Sequence, residues 1–317
     1  MPRRRPWLAF VVTRHPTSVT PLPIPEPRVS GYTKTTKQPL YWAMHGPEGA
    51  PRLLVLHGGP GAHHDYMLPQ MLALADTYEL LFYDQRGGGR SKTDDRAPIT
   101  YRTHVDDLKN LIVEFDLSPL SIIGYSWGGL LALLYALEAA RDRAIEYPRR
   151  LFLIDPAPVT RKLRDQFEHE MSRRSQTIDL IEQRGELQRS GLRESDPDAY
   201  RQRLFELSVA GYFADPRQAR DLTPFRVTGR VQQSVWESLG DYDLLPDLGM
   251  VRTPTVIVHG RQDPIPLISS EAAAEELGAK FHVIENSGHV PYVEQPEALW
   301  AIARPFLAKT DALIAMQ

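Results

Sequence analysis

From about residue 28 onward, short apolar runs alternate with longer segments whose apolar positions recur every three or four residues. Leu53-Leu54-Val55-Leu56, Glu79-Leu80-Leu81-Phe82-Tyr83, Leu120-Ser121-Ile122-Ile123 and Leu151-Phe152-Leu153-Ile154 are apolar with little alternation, the pattern of strands covered on both faces. Val29 to Thr35 and Pro39 to Met44 read as an opening hairpin. A helix is expected near Tyr66 to Ala75. Another spans Tyr101 to Phe115, where Val105, Leu108, Leu111, Ile112 and Phe115 share one face. A third follows over Leu130-Leu131-Ala132-Leu133-Leu134-Tyr135-Ala136-Leu137. This order predicts an α/β fold: a mostly parallel central sheet with helices on both faces.

The rhythm breaks after Asp155. Residues 157 to 246 are charge-rich and helical in pattern, without convincing strands. One helix start among them is well marked, because Ser195-Asp196-Pro197 sets a capping side chain before a proline suited to the first turn. Strands resume at Pro254-Thr255-Val256-Ile257-Val258 and Lys280-Phe281-His282-Val283-Ile284. The expected organisation is a Pro-rich N-terminal extension over 1–28, one α/β domain built from 29–156 and 247–317, and a helical cap inserted over 157–246. A chain of 317 residues suits one such domain with an insertion.

The net charge of −3 suggests neither a nucleic-acid nor a membrane partner. The absence of cysteine excludes disulfides, thiolate metal sites and a cysteine nucleophile. Arg3-Arg4-Arg5 precede an apolar run from Trp7 to Val12, which is shorter than the ~7–15 residues of a secretory signal. No run approaches the ~18 apolar residues of a membrane span. A cytoplasmic protein acting on a small molecule or short peptide, without a cofactor, is expected.

The densest chemical signal is Gly124-Tyr125-Ser126-Trp127-Gly128-Gly129, which fits G-x-S-x-G between a strand and a helix. That context is the nucleophile elbow of α/β hydrolases, in which a strained turn lifts the serine hydroxyl out of the sheet. The bland alternative is an ordinary turn with a chance serine. Acyl transfer also needs a base, an acid to orient it and donors for the oxyanion. In chain order Ser, Asp, His, the candidates are Ser126, Asp263 just past the strand ending at Val258, and His289 past the last strand. Asp155 also follows a strand and rivals Asp263 for the acid role. The oxyanion donors expected are the N–H groups of Trp127 and of Gly59 in His57-Gly58-Gly59-Pro60-Gly61. His57 is expected to support that loop through hydrogen bonds. His63-His64-Asp65 lacks metal-site spacing, so no metal is expected. Neither the loop from His57 to Gly61 nor the run Gly87-Gly88-Gly89 carries the Walker pattern with its lysine.

These motifs together, with Asp84-Gln85-Arg86-Gly87, Gly89 and Ser91, resemble the proline iminopeptidase family of α/β-hydrolase fold serine hydrolases over roughly residues 30 to 308. The resemblance implies that Asp84 to Arg86 brace the oxyanion loop. It also implies an aminopeptidase releasing an N-terminal residue, often proline, from small peptides, with acidic residues holding the substrate ammonium. In one subgroup an acid directly follows the catalytic Asp, where this chain has Pro264; in another the aligned position is Val209. Glu237, then Glu206, are the substitutes expected to bind the amine. Two other readings stand beside it: an esterase, lactonase or amidase on small neutral substrates, and a non-catalytic binding protein of hydrolase fold.

Overall fold

A computed structural model of the chain describes residues 23–94 and 97–308. Most of the expected N-terminal extension, residues 1–22, lies outside the described residues. The strands are β1 (Val29–Tyr32), β2 (Tyr41–His45), β3 (Arg52–Leu56), β4 (Glu79–Tyr83), β5 (Ser121–Tyr125), β6 (Arg150–Ile154), β7 (Thr255–Gly260) and β8 (Lys280–Ile284). They form one sheet in the order β1-β2-β4-β3-β5-β6-β7-β8, with β1–β2 and β2–β4 antiparallel and every other pair parallel. The opening hairpin is present, with Tyr32 facing Tyr41 in register.

The apolar runs fill both faces of the sheet. Leu54, Leu56, Leu81, Ile122, Leu151 and Leu153 point into one core with α1 (Tyr101–Glu114), α2 (Trp127–Arg141) and α9 (Leu267–Leu277). Their neighbours Leu53, Val55, Leu80, Phe82, Ile123, Phe152 and Ile154 point into the other, with α11 (Pro296–Leu307). This two-sided burial is why these strands lack polar alternation. Helix α2 is buried on nearly every side from Trp127 to Leu137, so it too is apolar all round.

The helix expected near Tyr66 to Ala75 is instead two short 3₁₀ turns, His64–Met67 and Gln70–Leu74. Pro69 lies between them, lacks an N–H and disfavours helical backbone at Leu68, which is extended at φ −99° and ψ 147°.

Between β6 and β7 run α3 (Arg161–Ser175), α4 (Ile178–Arg189), α5 (Leu192–Ser195), α6 (Pro197–Val209), α7 (Gly229–Leu239) and α8 (Leu245–Leu248). The start read at Ser195-Asp196-Pro197 is that of α6, where the Asp196 side chain accepts from Ala199 N–H at 3.0 Å. The two ends of this segment are joined by an antiparallel bridge: Arg161 N–H donates to Tyr242 O at 2.7 Å and Leu244 N–H to Val159 O at 3.0 Å. Its own apolar cluster is small, comprising Leu180, Leu187, Leu207 and Ala210. A short helix α10 (Pro291–Glu294) precedes α11.

Candidate active site

From β3 the chain steps outward to β4, then crosses back to place β5 on the other side of β3. In open parallel sheets the crevice at such a reversal, beyond the carboxyl ends of the strands, is where ligands bind. The loop His57-Gly58-Gly59-Pro60-Gly61 leaves β3 there, and Ser126 leaves β5 beside it.

Ser126 has φ 54° and ψ −119°, a conformation a non-glycine residue holds only when its surroundings impose it. Its N–H donates to Ile154 O at 2.9 Å, and its carbonyl accepts from Gly129 and Ala157. The flanking glycines explain how strand and helix close around it. A Cβ on Gly128 would lie 2.2 Å from Leu56 O, and one on Gly124 2.7 Å from Gly128 O.

The rings of Tyr125 and Tyr212 each lie 5.2 Å from the His289 imidazole. Asp263 Oδ2 accepts from His289 Nδ1 at 2.8 Å, which leaves Nε2 to accept from the Ser126 hydroxyl at 2.9 Å. Asp263 Oδ1 also accepts from Ile265 N–H at 2.8 Å. Burial moves both groups toward neutrality, pushing Asp263 up to about 7 and His289 down to about 4. Ser126, His289 and Asp263 thus form one hydrogen-bonded chain, while Asp155 makes no hydrogen bond to the imidazole.

Trp127 is the first residue of α2, where N–H groups have no partner inside the helix. The Gly59 N–H meets no acceptor among the described residues. Gly58 is packed so that a Cβ would lie 2.8 Å from Ser126 Cβ, and its N–H donates to Tyr66 Oη at 2.7 Å. Gln85 ties the parts together. Its N–H donates to His57 Nε2 at 3.0 Å, its amide donates to His57 O at 2.8 Å, and its carbonyl accepts from Trp127 Nε1 at 2.7 Å. His57, pushed down to about 4 by burial, is neutral and can both donate to Gly58 O and accept from Gln85. Asp84 accepts from His64 N–H and Nδ1 on one oxygen and from Arg90 N–H on the other, while Arg86 pairs with Asp107 on α1. His64 and, through Arg90, Asp65 therefore serve this bracing.

Among the described residues, neither glutamate expected to bind an amine bonds to Ser126, His289 or Asp263. Glu237 is exposed on α7, accepting from Gln233, because the preceding Trp236 is the residue that turns inward, against Trp127 at 5.1 Å. Glu206 is buried, but it is neutralised by Arg203 at 2.8 Å and bonded by Gln202. Its neighbours Gln202 and Phe205 line a cavity of about 880 Å³, whose wall Val227 lies beside Gly59. A second cavity, about 580 Å³, abuts Asp263 and Pro264; its carboxylates Asp165 and Glu170 are paired with Arg161 and with Arg173 and Arg174.

Two residues were not singled out from sequence. Glu294 accepts from Gly288 N–H at 2.6 Å and Ala214 N–H at 2.7 Å, joining the His289 loop to the inserted segment. Tyr66 packs on Phe225 at 4.4 Å and holds Gly58. Each joins a near neighbour to a residue distant in sequence, Glu294 to Ala214 and Tyr66 to Phe225.

The architecture and this crevice define a hydrolase of α/β-hydrolase fold. The chain belongs to the alpha/beta hydrolase family, whose model matches residues 53–302. Its curated relatives include proline iminopeptidases, such as that of Lactobacillus crispatus (strain ST1), 27% identical over 282 residues that cover 82% of this chain and 90% of the relative. Among solved structures, a proline iminopeptidase-related protein of Thermus thermophilus superposes with a TM-score of 0.67 at 23% identity, covering 88% of this chain and 97% of the other. The enol-lactonase of Burkholderia xenovorans LB400 superposes with a TM-score of 0.59 at 18% identity, covering 88% and 100%. No helix among the described residues is long and apolar enough to cross a membrane.

Proposed function

We propose that the chain is a serine hydrolase working through an acyl-enzyme, with Ser126 as nucleophile, His289 as base and Asp263 as the acid that orients it. The hydrogen-bonded run from Ser126 Oγ through His289 to Asp263 carries this reading. Ser126 Oγ attacks the scissile carbonyl carbon as its proton passes to His289 Nε2. The N–H groups of Gly59 and Trp127 hold the oxyanion, and positive charge on the imidazole is stabilised by Asp263. The same proton passes to the leaving group, which departs and leaves an ester on Ser126. Water, deprotonated by His289, then attacks that ester; its bond to Ser126 Oγ breaks, the acid leaves, and His289 returns the proton to Oγ. Residues 157–246 act as the cap over this site, and the protein works in the cytoplasm.

Kinship with proline iminopeptidases supports release of N-terminal residues from short peptides or amides as the substrate reading. A second reading, hydrolysis of small neutral esters, lactones or amides, is favoured by one observation: Glu206 is already paired with Arg203, and Glu237 faces solvent. A panel of free-amine amino-acid arylamides, N-blocked counterparts and short esters separates the two. Preference for a free amine upholds the aminopeptidase. Equal cleavage of blocked and neutral substrates replaces it with the second reading.

A further inference from the structure

We propose that Asp155 is a positioning residue of this site: a neutral carboxylic acid whose O–H donates to the Asp263 carboxylate and so fixes the group that orients His289. This rests on the reading of Ser126, His289 and Asp263 given above.

Asp155 leaves β6 with φ 42°, a left-handed backbone conformation that few side chains other than Asp or Asn adopt readily. Its N–H donates to Val258 O at 2.8 Å and its Oδ1 accepts from Gly260 N–H at 2.8 Å, so the side chain is held against the end of β7. The residue is fully buried, and its Oδ2 has no N–H donor. A carboxylate oxygen of Asp263, whose side chain is also fully buried, lies within 4.8 Å of one of Asp155.

Two carboxylates this close in a dry space cannot both be ionised, so the pair holds a proton. The donors decide where it sits. Asp263 accepts from two N–H groups, His289 Nδ1 and Ile265 N, which favour its charged form; Asp155 accepts from one. An O–H on Asp155 Oδ2 satisfies that oxygen and gives Asp263 a third donor. Burial and the neighbouring Asp263 both raise Asp155 well above the usual carboxylate range.

The other groups facing the pair leave this assignment intact. His259 lies 3.9 Å from Asp155, but its Nε2 bonds Ile265 O and its Nδ1 bonds Ser270 Oγ. Burial holds His259 down at about 4, so it is neutral, and it has no lone pair free to bind a metal with the two acids. Among the described residues the remaining titratable neighbours are His289, Tyr125 and Tyr292 around Asp155, with Tyr212, Arg174 and Glu294 toward Asp263.

The test is infrared difference spectroscopy of the whole enzyme near pH 7, Asp155→Asn against wild type, combined with kinetics. The expected result is a protonated-carboxyl C=O band, shifted in D2O, that the substitution removes. Asp155→Ala should lower kcat by ~10- to 100-fold with KM nearly unchanged, because it frees Asp263 to move. Asp155→Asn, whose amide can donate to Asp263, should recover most of that loss. Absence of the band overturns the proposal, as does a loss in Asp155→Asn equal to that of Asp263→Asn. If Asp155→Ala does not fold, the spectrum and the Asn variant still decide. Failure of a fluorophosphonate to label Ser126 would instead remove the reading beneath it, whatever the band shows.

Discussion

The backbone N–H of His289 donates to the carbonyl of Tyr212 at 2.7 Å. The loop carrying the imidazole is therefore anchored in the segment inserted between β6 and β7, not only in the sheet that delivers it. Glu294 fastens the same junction by accepting from Gly288 and Ala214, and burial raises its pKa.

This junction gives the first prediction. Glu294→Gln replaces one of the two acceptor oxygens with a donor facing a buried N–H, so it should cost about 1–3 kcal/mol of stability. Denaturant unfolding measures that loss, and kcat should fall with it as His289 loses its anchor. An unchanged unfolding midpoint would mean the junction is held by other contacts.

Ser126→Ala and His289→Ala should each lower kcat by several decades, because such groups act as a unit. Fluorophosphonate labelling, located by peptide mass spectrometry, should fall on Ser126 and vanish in both variants. Equal labelling of Ser126→Ala and wild type would sink the assignment.

Asp263→Asn should leave folding intact yet lower kcat by roughly 10⁴, since the imidazole takes the wrong tautomer. Asp155→Asn should cost far less. The reverse ranking, read from kcat of the two purified variants, would transfer the orienting role to Asp155.

His104 illustrates how pH acts on the buried histidines. Burial lowers it to about 3, so the folded protein keeps it neutral. Above about 6.5 the folded and unfolded chains are alike in this respect. As pH falls from 6.5 toward 3 only the unfolded chain takes up the proton, and stability is lost. Raised acids such as Asp107 and Asp263 work in the opposite direction, so the comparison is made with His104→Phe. Relative to wild type, that variant should gain up to about 1.4 kcal/mol per pH unit below 6.5. A pH-independent difference would contradict the neutral, buried state.

Glu237→Gln should leave KM for a prolyl arylamide within about twofold, because among the described residues the carboxylate bonds only Gln233, at the surface. A tenfold rise would mean that α7 turns its exposed face to the substrate.

Strands β3 to β6 were legible because burial on both faces writes an unbroken apolar run, and Ser126 because a tight turn demands Gly124 and Gly128 in fixed places. Asp263 and His289 followed from their positions just past strand ends. What stayed hidden depends on contacts that no local pattern encodes. Glu294 meets Ala214 across 80 residues. The inward turn of Trp236, which carries Glu237 outward, is fixed by its contact with Trp127. The helix misread at Tyr66 to Ala75 failed for a local reason, Pro69, that apolar periodicity does not register.

Helix α3 buries none of its side chains, and the apolar cluster of the inserted segment numbers four residues. Most substitutions there remove little buried area and so cost little stability. The two layers beneath, by contrast, are filled on both faces of the sheet and punish almost any change. The molecule thus divides mutational freedom unequally. The helices of the inserted segment can drift in sequence, while the frame holding Ser126 and His289 stays fixed. Exchanging 161–209 between relatives is the engineering route this division opens.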